Sequence, residues 1–138
     1  VATYVKYERF IEALVNEEVD LFGTTDTFKA VIHSDAPTVA TDDELADLTQ
    51  ITGTGYTSGG DDIQNDATRT GGTVTMTAVD VTWTAGAGDW DAGRYVSIHD
   101  DSSTTDILMC SFDYGSNFTL GNAETFTLNF GASLATVA

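Results

Sequence analysis

The sequence has 138 residues and a formal net charge of −17, with five basic residues (Lys6, Arg9, Lys29, Arg69 and Arg94) against 22 Asp plus Glu. Five scattered cations cannot build the phosphate-neutralising stripe that nucleic acid requires, and the same shortage excludes binding to an anionic membrane surface. No apolar run approaches the ~20 residues that span a bilayer, and no basic and apolar leader opens the chain.

The length predicts one domain over residues 1–138, large enough to fold without a metal or disulfide staple. Acidity alone would suit a disordered chain, but seven Phe, five Tyr and two Trp argue for a packed core. Cys110 is the single cysteine, so no intrachain disulfide forms. Its apolar setting, Leu108-Met109-Cys110-Ser111-Phe112, predicts a buried structural thiol and a chain assembled in a reducing compartment such as a cytoplasm.

From Tyr4 to Leu21 the apolar residues Tyr7, Phe10, Ile11, Leu14, Val15 and Val19 recur at helical spacing. The pattern predicts an N-terminal helix over 4–21, with Thr3 as N-cap and Gly23 as its stop. Period-two alternation follows. Phe28, Ala30 and Ile32 share one strand face, and Asp35-Ala36-Pro37 breaks the strand. Residues 42–48 read as a short helical turn. In Thr73–Val79, Val74, Met76 and Ala78 point one way; Val79, Val81 and Trp83 then switch phase, so a bulge or strand end is expected near Asp80. Tyr95–His99 is a further strand, residues 106–113 are apolar on both faces, and Phe126, Leu128 and Phe130 alternate. Threonine is the commonest residue and suits a pleated, half-buried surface. The expected fold is mainly β: an antiparallel β-sandwich or jelly-roll-like domain over 27–130, one N-terminal α-helix, and a C-terminal tail over 131–138.

Candidate chemistry is thin. The glycine loop Gly53–Gly60 is followed by Asp61 and Asp62, which repel phosphate, and lacks the lysine of a nucleotide cradle. Counted from Asp89, an EF-hand would need a ligand where Gly93 stands and glycine where Arg94 stands. His33-Ser34-Asp35 holds the residue types of a catalytic triad, but neighbours along a strand point to opposite faces, and a triad is a spatial relay. His99, the other histidine, is too far along the chain from His33 to suggest a shared metal. Asn117-Phe118-Thr119 fits a glycosylation acceptor by chance. No catalytic residue, cofactor or metal is therefore expected. The candidate interface residues are aromatic: Tyr4 and Tyr7 in the N-terminal segment, Tyr56 in the glycine loop, and Trp83 and Trp90, which bracket the loop 84–89.

Several stretches together resemble a family of small tailed-bacteriophage virion proteins, the capsid cement or decoration proteins. They are the opening Tyr4-Val5-Lys6-Tyr7-Glu8-Arg9-Phe10, the Phe28–Ile32 strand with its Ala36-Pro37 turn, the Leu45–Gly60 segment, Arg94-Tyr95-Val96, and Phe112-Asp113-Tyr114-Gly115-Ser116. The resemblance runs from Ala2 to Phe130. It implies a structural protein and not an enzyme. Such a protein docks on the outer surface of an expanded icosahedral head, bridges copies of the major capsid protein, and self-associates as a homotrimer there after assembly in the host cytoplasm. A tail, collar or fibre-attachment protein is the alternative, and a glycan- or receptor-binding β-sandwich a more distant one.

Overall fold

The computed structural model describes residues 3–22 and 25–138. The order is β1 (Thr3–Lys6), α1 (Glu8–Val15), β2 (Phe28–His33), a short 3-10 turn (Leu45–Asp47), β3 (Asp61–Asp62), β4 (Asp66–Thr70), β5 (Thr73–Thr77), β6 (Val81–Thr84), β7 (Gly93–Asp100), β8 (Ile107–Phe118), β9 (Thr125–Leu128) and β10 (Ala135–Val137). Strands form a five-stranded sheet β1-β8-β7-β2-β3, a three-stranded sheet β10-β5-β4 and the pair β6-β9. All of these pairings are antiparallel, so the mainly β, antiparallel expectation holds, with one α-helix near the N-terminus.

The helix is shorter than its apolar spacing suggests. Residues 3–6 are drawn into the sheet instead, where Tyr4 faces Phe112 and Lys6 faces Cys110. Thr3 is thus a strand residue and not an N-cap; that position falls to Tyr7, in extended backbone with no side-chain cap. At the other end Glu17 takes a left-handed φ of 59°. The Glu18 amide then donates to Ala13 O and the Glu17 amide to Leu14 O, the two bonds of a Schellman stop. The helix therefore ends well before Gly23, which lies outside the described residues. Phe10 and Ala13 are buried, whereas Ile11 and Val15 are exposed.

The main core gathers side chains from all three sheets and α1: Phe10 and Ala13, Ala30 and Ile32, Val96, Met76, Trp83 and Leu128. The other face of the large sheet is also covered. Val31 and Leu108 pack there with Tyr7 and with Leu45 and Leu48 of the 3-10 turn region. Strands β2, β7 and the first half of β8 are therefore buried on both faces; for residues 106–113 the sequence shows this as two-sided apolarity.

The phase switch near Asp80 marks a change of sheet. β5 pairs with β4 and β10, whereas β6 pairs with β9. Asp80 clamps the junction: its carboxylate accepts from the Phe130 amide at 2.9 Å and from Asn129 Nδ2 at 2.9 Å. The layer facing the large sheet is thereby split into two small sheets. Residues 131–138 are not a free tail, because Leu134 is buried and Ala135–Val137 adds β10 beside β5.

Candidate functional site

The five aromatic candidates do not converge on one surface. Tyr7, Trp83 and Trp90 are buried and act in packing. Trp90 Nε1 donates to Thr54 O at 2.9 Å, and its ring meets Tyr56 edge-on at 5.6 Å. The half-buried Tyr56 takes a hydrogen bond from the Ile32 amide at 3.0 Å through its hydroxyl. These contacts set the glycine loop. The amides at its end are engaged within the protein, Gly59 N donating to Gln50 Oε1 at 2.8 Å and Gly60 N to Thr57 O at 2.9 Å, so these two are not offered to a phosphate. Asp91 is also engaged: its carboxylate holds the Thr52 amide and hydroxyl at 3.0 and 2.6 Å, and this bonding lowers its pKa. Tyr4 alone of the five is exposed, with its ring tilted on Phe112 at 5.5 Å.

His33 does enter a relay, but not with Ser34. Its Nε2 meets Ser97 Oγ at 2.8 Å and its Nδ1 lies 3.4 Å from Asp35 Oδ1. The serine comes from the neighbouring strand, since β2 and β7 pair His33 with Tyr95 and Val31 with Ser97. Tyr7 completes the set, its hydroxyl 2.9 Å from Ser97 Oγ. The order Ser97–His33–Asp35 is that of a triad, yet His33, Ser97 and Tyr7 all have 0% exposure. A nucleophile must reach a substrate carbonyl, and this hydroxyl is sealed. The cluster is a satisfied polar island between β2, β7 and the N-terminal segment. Burial lowers the His33 pKa, against the pull of Asp35, and so keeps the ring neutral. Burial likewise pushes the Tyr7 phenol up to about 12 and raises the Cys110 thiol, which keeps the thiol protonated and inert.

The most developed exposed feature is a bulge in β8. Between the pairs Tyr95↔Asp113 and Gly93↔Phe118, the single residue Arg94 of β7 faces Tyr114 to Asn117 of β8. Gly115 makes the bend possible with φ 95°. Asp113 braces it: Arg94 donates to both carboxylate oxygens at 2.9 and 3.0 Å, and the Gly115 amide to Oδ1 at 2.7 Å. The guanidinium fork holds the Asp113 pKa down. Tyr114, 57% exposed, stands at this bulge. Its ring meets Phe118 at 5.4 Å and Phe126 at 5.7 Å, both edge-on; Phe118 and Phe126 stack at 4.4 Å, and Trp83 stacks against Phe126 at 6.0 Å. Beside Tyr114 lies a shallow apolar depression lined by Val96, Phe112, Phe126 and Leu128. An exposed aromatic on a rigid, braced base is the usual form of an interface anchor. The signal for it in the sequence was the glycine inside an otherwise regular strand, flanked by Tyr114 and Phe118.

Comparisons with protein-family models, with curated proteins and with solved structures find no match to this chain.

Proposed function

We propose that this chain is a structural protein of a bacteriophage virion, a capsid cement protein that binds the outer surface of the head and bridges capsomers. The supporting observation is the Tyr114 platform, an aromatic group held outward by the Asp113–Arg94 brace over a stacked aromatic base. The stretch Phe112–Ser116 that forms it is also among those that carry the family resemblance. The surrounding charge of −17 keeps the free protein soluble and away from DNA. Attachment then rests on interface area repeated over many copies, so that avidity replaces a single tight site. On the shell the chain self-associates as a trimer, its partner being the major capsid protein.

The test is binding of the purified protein to expanded, undecorated shells and, in parallel, to isolated tails. The expected result is saturable binding to shells together with increased resistance of the shells to heat. Tyr114→Ala should weaken shell binding by at least tenfold, as loss of a central aromatic anchor does, while leaving the thermal midpoint of the free protein nearly unchanged. Binding to tails with none to shells would overturn the cement reading in favour of a tail or collar role.

A further inference from the structure

The second buried histidine has a different environment from His33. His99 lies on β7 with 0% exposure. Its Nε2 is 2.9 Å from Gly59 O. A carbonyl oxygen only accepts, so Nε2 carries the proton and Nδ1 carries the free lone pair. Nδ1 is buried and has no hydrogen-bond partner among the described residues. Two carboxylates, those of Asp101 and Asp106, lie beside the ring, and one ligand atom from each of the three residues lies within 4.8 Å of the others. Nδ1 is 3.8 Å from Asp106 Oδ1.

We propose that His99, Asp101 and Asp106 form a binding site for a divalent transition-metal ion of the Zn2+ type. An unpaired buried nitrogen costs stability, and a metal ion is the partner that satisfies it and two carboxylates together. The second shell has the form metal-binding histidines use: the distal ring N–H is anchored on a backbone carbonyl, which fixes tautomer and orientation. Burial lowers the His99 pKa, so the ring stays neutral and its lone pair available. The carboxylates are positioned from their backbones, the Asp101 amide donating to Thr27 O at 2.9 Å and Asp106 O accepting from Leu45 N at 3.0 Å. Tetrahedral zinc with bonds of about 2.0–2.2 Å brings its donors closer than these separations, which small rotations of the two surface carboxylates achieve. Both carboxylates are partly exposed, so water from the solvent side would supply the fourth ligand. The mixed imidazole and carboxylate set favours zinc over Mg2+ or Ca2+, which prefer all-oxygen shells. Lys29 opposes binding: its Nζ pairs with Asp101 Oδ2 at 2.7 Å, which engages one of the carboxylate oxygens and places a cation beside the ion.

Calorimetric titration of chelator-treated protein with Zn2+, and separately with Mg2+, tests the site. The expected result is one Zn2+ per chain, not displaced by an equal concentration of Mg2+, with a shift of the His99 imidazole nitrogen signals. Asp106→Asn should weaken binding by about tenfold or more; asparagine tolerates the φ of 55° at this position, so the variant keeps its fold. Lys29→Met should tighten binding by removing the competing cation. Absence of Zn2+ binding would overturn the proposal. So would binding of several ions per chain that Mg2+ displaces and that Asp106→Asn and Lys29→Met leave unchanged, the behaviour of a diffuse carboxylate surface.

Discussion

Asp100 is fully buried at the end of β7. Its Oδ1 accepts the Ser102 amide at 2.9 Å, while Oδ2 has no hydrogen-bond partner among the described residues. Burial first, and then the neighbouring Asp26 carboxylate, push its pKa up to about 6. An unfolded aspartate titrates near 3.9, so between these values the folded chain holds a proton that the unfolded chain releases. The stability from this group is present below about pH 4 and lost as pH rises through 6, on the order of 2 kcal/mol. His33 and His99 work in the opposite sense. Their pKa values are lowered by burial, so their contribution is intact above about 6.5 and is lost as pH falls. Asp100→Asn keeps the acceptor for Ser102 and offers Asp26 a donor. It should stabilise the protein by about 2 kcal/mol at pH 7 and by a small fraction of that at pH 4, measured by urea unfolding at both. Equal gains at the two pH values would show that the buried charge is not the cause. None of this is legible in the sequence, where Asp100 is one of 22 acids and its burial depends on the β7–β8 turn closing over it.

Among the elements, the glycine loop gives the sharpest contrast. Gly59 and Gly60 both have positive φ, 90° and 80°. A Cβ on Gly59 meets nothing within 4 Å, whereas one on Gly60 runs into the backbone carbonyl of Ala30 in β2. Gly59→Ala should therefore cost about 1–2 kcal/mol, the left-handed penalty alone. Gly60→Ala should cost clearly more, because the Ala30 carbonyl belongs to a paired strand and cannot yield; thermal unfolding of the two variants measures the difference. Which elements could be read from sequence follows from this kind of context. Alternation reveals β2, β7 and β9, and apolarity on both faces reveals the first half of β8, because one or both of their faces meet the core. The phase switch at Asp80 revealed the change of sheet. Apolar spacing overstates the helix because Tyr7, Phe10 and Leu14 keep helical spacing whether or not the flanking residues are helical, and because a glutamate takes the left-handed stop that glycine usually fills. β3 and β10 are too short to carry a pattern. Of the candidate site, the aromatic residue types were legible but their placement was not: Trp83 and Trp90 are buried, while the exposure of Tyr114 depends on a bulge set by pairing with β7.

For the whole molecule, the imbalance of charge is only slightly relieved internally. Arg9 pairs with Glu18 at 2.6 Å, Lys29 with Asp101 at 2.7 Å and Arg94 with Asp113 at 2.9 Å. Among the described residues, three of the five cations are thus matched against a large excess of carboxylates, and the folded state brings that excess together. Raising NaCl from roughly 10 to 300 mM shortens the Debye length from about 30 Å to below 10 Å and should raise the thermal midpoint steadily. A midpoint indifferent to NaCl would show that the repulsion is already dispersed. The sheet order has another consequence, for the way the chain is made. β1 pairs with β8, Thr3 opposite Asp113, and β2 pairs with β7, Phe28 opposite Asp100. β1 emerges from the ribosome long before β8 exists, so the central sheet closes only once β7 and β8 have been made, through contacts between distant parts of the sequence. Such topologies fold slowly. While the nascent strands wait unpaired, the same crowd of carboxylates that strains the finished protein keeps neighbouring chains apart.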